Sequence, residues 1–168
     1  MPSSFFGRIA LAATLVASSI GAVAEPLRIS ATMTPKEQIR LDFKDGSGHY
    51  VLMVRREGTA GGLGLFDKAH LVEYGRHDIV PGVAGDPSGY LVVTADDGAI
   101  AYLKWTVRSI FLPTPDGSVL LDDNGFWEVV SGTGKFRGLK GAGTMHIKSA
   151  GSSDRLFTFN GDLVPARP

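Results

Sequence analysis

The chain has 168 residues, of which 22 are glycine and none cysteine, with 17 basic and 17 acidic side chains. That length suits one domain with a core of its own, and the absence of cysteine excludes a disulfide framework. Balanced charge without a basic run excludes the electrostatic footprint of a nucleic-acid binder.

The first residues, MPSSFFGRIALAATLVASSIGAVAEP, have a short n-region ending in Arg8 and an apolar run from Ile9 to Ile20. Ala22-Val23-Ala24 then precedes Glu25-Pro26. This is the layout of a secretory signal over residues 1–24, with cleavage expected after Ala24. The uncharged run is short for a hydrocarbon layer of about 30 Å. Without a cysteine near the cut or a twin-arginine pair, the layout predicts export in the unfolded state without a lipid anchor. Residues 25–168 are then the mature domain, periplasmic or secreted, with no membrane insertion after cleavage and 16 basic against 17 acidic residues.

Along that domain the hydrophobic period is two. In QIRLDF, Ile39, Leu41 and Phe43 alternate with polar residues, the pattern of a half-buried strand. HYVLMVRRE sets Tyr50, Leu52 and Val54 on one face, and AIAYLKWTVRSIF sets Ala101, Leu103, Trp105 and Val107 opposite Tyr102, Lys104, Thr106 and Arg108. RLFTFNGDL sets Phe157, Phe159 and Leu163 against Thr158, Asn160 and Asp162. Turn signals fall at 44–48, 85–89, 96–98, 113–117, 122–125 and 149–154, each rich in Gly, Asp, Asn, Ser or Pro. Thr34-Pro35 offers an N-cap and N1 pair for one short helix near 34–38. The spacing predicts an all-β fold, a single closed antiparallel β-barrel of about eight strands.

The stretch SGTGKFRGLKGAGTMH, Ser131 to His146, combines glycines with Lys135, Arg137 and Lys140. It fits neither phosphate-loop spacing and is followed by strand alternation instead of a helix N-terminus, so its glycines read as a sharp barrel corner with Phe136 as a plug. Gly62-Leu63-Gly64-Leu65-Phe66 repeats the same G-x-G-x-F pattern, which suggests two similar corners. No nucleophile elbow is present, and His49, His70, His77 and His146 show no metal-ligand spacing, so no metal or cofactor is expected. Asp96-Asp97 and Asp122-Asp123 stand before Gly or Asn-Gly and read as turn residues. The candidate ligand-binding residues are Tyr50, Tyr90, Tyr102, Trp105, Trp127, Phe157 and Phe159, which either line an apolar cavity or fill the barrel. Arg108, Glu128 and His146 are candidate orienting groups. Glu128 in FWEVV is the candidate acid if it shares the interior with Phe126 and Val130, whereas it faces water if Trp127 and Val129 point inward.

The segment GFWEVVSGTGKFRGLKGAGTMHI resembles the C-terminal half of the allene oxide cyclase and dirigent barrel superfamily, whose members carry a strand, a G-G-[ST]-G-x-F-x-G-x-x-G corner and a further strand. DDGAIAYLKW and RLFTFNGDL are looser echoes of the neighbouring strands. The resemblance implies an eight-stranded, calycin-like barrel holding a small apolar ligand, with a homo-oligomer, dimer or trimer, as its assembly. It implies a corner shape and carries over no catalytic position, since the cyclase cysteine has no counterpart here. Three readings follow: a ligand-binding barrel, a cyclase- or dirigent-like enzyme steering a reactive intermediate, and an interaction protein with a filled barrel.

Overall fold

The computed structural model describes residues 23–151 and 153–165, so most of the expected signal, residues 1–22, lies outside the described residues. Ten strands run in chain order: β1 Glu25–Asp42, β2 Tyr50–Thr59, β3 Gly61–Leu63, β4 His70–Val80, β5 Ala84–Gly85, β6 Ser88–Thr94, β7 Ile100–Pro113, β8 Val119–Gly132, β9 Lys140–Ser149 and β10 Arg155–Val164. Eight of them form an antiparallel meander that closes when β10 pairs with β1 from Glu25↔Leu163 to Met33↔Arg155. The short strands β3 and β5 are added at the margins. Closure removes the open edges that a sheet of this length would otherwise expose.

Alternation decides what fills the barrel. Leu27, Ile29, Ala31 and Met33 on β1, Ala101, Leu103, Trp105 and Val107 on β7, Trp127 and Val129 on β8, and Phe157, Phe159 and Leu163 on β10 are all buried in one core. One transverse row of register partners reads Gly75, Gly89, Trp105, Trp127, Gly143, Gly161 across six strands. The two indoles lie between two pairs of glycines. A Cβ at Gly89 would stand 3.1 Å from the Trp105 ring, and one at Gly161 would stand 2.8 Å from the Trp127 ring. An eight-stranded barrel is just wide enough to be filled by side chains, and here large residues fit because their neighbours in the row are the smallest.

The two G-x-G-x-F corners meet at one end. Phe66 and Phe136 are fully buried, with ring centroids 5.4 Å apart in an edge-to-face contact worth about 0.5–1.5 kcal/mol beyond burial. A single 3-10 turn, Gly134–Phe136, directs Phe136 inward, and Gly134 takes a φ of 53° that suits glycine. Lys135, Arg137 and Lys140 stay exposed, with Lys135 3.1 Å from Asp97. The glycine-rich stretch is thus the apolar stopper of the barrel.

Four local expectations change. Residues 34–38 are strand, not helix: Pro35, which has no N–H to donate, sits at a register shift between Pro35 and Glu37, where β1 bends out of the barrel. Beyond that bulge the parity of β1 is reversed, so Ile39 and Leu41 stand beside Met53 and Val51 on the outer face and are 73% and 59% exposed instead of half-buried. Residues 122–125 are the middle of β8, paired on both sides, and not a turn; Gly125 lies against the backbone of Thr106 and Val107. The reversal expected at 85–89 occurs earlier, around Pro81–Val83.

Gly161→Ala should destabilise the fold by about 1–3 kcal/mol, because the new methyl would collide with Gly143 Cα and the Trp127 ring. Gly61→Ala, with no atom within 4 Å of the added carbon, should stay within about 0.5 kcal/mol of the parent in the same urea titration.

Candidate functional site at the open end of the barrel

Opposite the Phe66–Phe136 stopper lie the β1–β2, β4–β6, β7–β8 and β9–β10 reversals, and toward them the interior turns polar. On β4 the inward positions are Leu71, Glu73, Gly75, His77 and Ile79. Gly75 presents no side chain, so Glu73 and His77 lean together over it. A Cβ at Gly75 would fall against Glu73 Oε1 and 3.0 Å from His77 Nε2.

Arg56 faces Glu73 directly across the β2–β4 ladder. Its Nη1 donates to Glu73 Oε2 at 2.8 Å and lies 3.1 Å from His77 Nε2, which is itself 3.3 Å from Glu73 Oε1. All three residues are buried, Glu73 completely. His77 Nε2 cannot satisfy both neighbours at once: bare, it accepts from Arg56, and protonated, it donates to Glu73. Buried ion pairs of this kind contribute little net stability, since desolvation offsets attraction, yet breaking one is expensive.

Asp123 approaches from the opposite wall. It is inward on β8, between Ser109 of β7 and Ile147 of β9. Burial pushes its carboxyl above the ordinary carboxylate value. Asp123 Oδ1, Ser109 Oγ, Arg56 Nε and Trp105 Nε1 are buried without a hydrogen-bonding partner among the described residues. Natural interiors rarely leave such atoms unmatched. A cavity of about 180 Å³ reaches Asp123 from the rim, walled by Val119, Leu121, Ile147 and Arg155. No group of three or more His, Asp or Glu side chains among the described residues is arranged to hold a metal ion.

The sequence candidates divide between the two faces of the wall. Trp105, Trp127, Phe157 and Phe159 are buried inside, with the His77 and Trp105 rings 5.9 Å apart. Tyr90 and Tyr102 are on the outer face, whereas Tyr50 shares the inward parity of its register partner Ile79 and lies half-buried at the rim under the Arg40 guanidinium at 3.8 Å. Trp127 and Val129 point inward, so Glu128 faces water. Arg108 pairs with Asp86 at 2.6 Å on the outside, and His146 also takes an outward position. Arg56, Glu73, His77, Ser109 and Asp123 were not singled out by motif. Their signal is a charged or hydroxyl residue at inward parity on an otherwise apolar strand face, as in Leu71-x-Glu73-x-Gly75-x-His77-x-Ile79.

No protein-family model and no curated protein matches the chain. Among solved structures, it is similar to a protein of unknown function from Clostridium acetobutylicum, at 14% identity over 83% of this chain and 97% of that one, with a TM-score of 0.55. It is similar to a pterocarpan synthase dirigent protein at 11% identity, over 98% of this chain and all of that one, with a TM-score of 0.52. A conserved protein of unknown function from Rhodopseudomonas palustris gives 12% identity, 86% and 100% coverage, and a TM-score of 0.50. At such identities the likeness concerns fold: the chain is a dirigent-like β-barrel.

Arg56→Met should cost about 3–5 kcal/mol in a urea titration, since it breaks the buried Arg56–Glu73 ion pair and leaves the fully buried Glu73 with only the His77 ring beside it. For Asp123, folding favours the protonated form. Its contribution is full below the unfolded value of 3.8 and declines as pH rises from there through the raised folded value. Asp123→Asn should remove this decline, so that the variant gains on the parent between pH 4 and pH 7 when both are titrated with urea at each pH.

Proposed function

We propose that this dirigent-like barrel is an exported protein that receives a small, largely apolar molecule at its open end and steers its reaction with Asp123 as the acid. The observation that carries the reading is the Asp123 carboxyl, buried, pushed toward its neutral form, and bordering a cavity whose other walls include Val119, Leu121 and Ile147. A carboxyl whose proton affinity burial raises can give its proton to a ligand oxygen and, as the resulting carboxylate, take a proton back from the ligand later in the reaction, the behaviour of a general acid tuned by burial. Across the lumen, the Arg56–Glu73–His77 trio supplies a second cluster of buried hydrogen-bonding groups.

The pterocarpan synthase dirigent proteins among the structural neighbours support the enzyme form of this reading over a purely passive carrier. Export rests on the signal pattern of residues 1–24. The exposed aliphatics Ile110, Leu112 and Leu120 on the β7–β8 hairpin favour a dimer or trimer that would cover them.

An apolar, polarity-sensitive naphthalene dye should brighten on the parent protein and stay dark on Leu121→Trp, which fills the cavity. Asp123→Asn should keep the dye signal but lose conversion of any molecule that native mass spectrometry finds bound to the purified parent. A dark parent that also carries no bound molecule overturns the proposal, as does an Asp123→Asn variant with undiminished conversion.

A further inference from the structure

The cavity at Asp123 also carries a cation that the fold leaves unpaired. Along β10 the inward positions are Arg155, Phe157 and Phe159, so the strand that buries two aromatic rings begins at the rim with a guanidinium. Arg155 is half-buried there and lines the same cavity of about 180 Å³ as Asp123.

Among the described residues Arg155 makes no ion pair. Its register partners are the uncharged Met33 on β1 and Ser149 on β9. Asp154, the residue before it, supplies only a backbone carbonyl, to which Arg155 Nη1 donates at 2.9 Å, and the other guanidinium N–H groups find no acceptor among the described residues. The neighbouring cations are satisfied: Lys148 lies 3.7 Å from Asp122, and Arg56, deeper in the lumen, lies 2.8 Å from Glu73. Asp123 is the one acid among the residues that line the cavity, and burial favours its protonated form, so it offsets little of the Arg155 charge.

Size and wall chemistry restrict the occupant further. An apolar cavity of about 150 Å³ accommodates a benzene ring, and Val119, Leu121 and Ile147 give this one aliphatic walls. A guanidinium presents a planar fork of N–H groups that matches the two oxygens of a carboxylate, and such charge-assisted bonds are stronger than neutral ones.

We infer that the molecule received at the open end is a small carboxylic acid, its body about one ring in size between Leu121 and Ile147, its carboxylate on Arg155 and its other end toward Asp123. This rests on the Asp123 cavity being the ligand site and adds the class of ligand.

Benzoate and benzyl alcohol, alike in ring and size, separate the charge from the apolar body in titration calorimetry at mildly acidic pH, where benzoate is ionised. The parent should bind benzoate more tightly by about tenfold or more. Arg155→Met should remove that preference and keep the binding of benzyl alcohol. Arg155→Lys should retain part of it, since the charge stays while the planar fork is lost. Leu121→Trp, which fills the cavity, should abolish binding of both probes. A parent that ignores benzoate or binds the two probes equally overturns the inference, as does a preference that survives Arg155→Met or benzoate binding that survives Leu121→Trp. In each of those cases a naphthalene dye that still brightens on the parent leaves the Asp123 site standing, whereas a parent that binds neither probe and leaves the dye dark overturns both.

Discussion

The fit of two indoles between two pairs of glycines sets the geometry on which the rest of the barrel depends. Trp105 and Trp127 are neighbours across the β7–β8 ladder, and the positions flanking them on β6, β4, β9 and β10 carry no side chain. A closed eight-stranded sheet has room for only a few large residues at one level. Placing glycine on four strands of that level allows two tryptophans to fill it. Trp127 also donates to the Asn160 carbonyl at 3.3 Å, which holds its ring toward β10, while the Trp105 ring reaches toward His77.

The same row divides the interior. On one side of it the Phe66–Phe136 contact and the small residues Ala60, Ala69, Ala95 and Ala99 close the barrel with an apolar stopper. On the other side, Gly75 clears the space in which Glu73 meets His77, and Arg56 and Asp123 complete a polar layer beneath the rim. A barrel sealed at one end and polar at the other has a single direction of access. Chemistry is possible at the polar end because burial raises the proton affinity of the Asp123 carboxyl.

Glycine in this protein therefore does two different jobs. At Gly62, Gly64, Gly134 and Gly138 it supplies positive φ for the corners. At Gly75, Gly89, Gly143 and Gly161 it lies in regular strands and matters only for what it leaves empty. Local sequence patterns make the first kind legible, since turn and corner signals are short-range. The second kind is visible only when four separate strands are aligned, and Asp122-Asp123-Asn124-Gly125 shows the cost of reading such a glycine locally: the segment looks like a turn and is the centre of a strand.

The sequence by itself determined the all-β class, the division of β7 and β10 into two alternating faces, and the corner that ends in Phe136, because each rests on period-two alternation or on a backbone requirement within a few residues. It left the candidate site mostly hidden. Phe126, Glu128 and Val130 share one face and Trp127 with Val129 the other, and either assignment satisfies alternation, so only closure of the ring decided that the tryptophan goes in and the carboxylate out. The meeting of Arg56, Glu73, His77 and Asp123 likewise depended on three strands facing one lumen. Their proximity comes from register and closure, long-range constraints that no single stretch of chain contains.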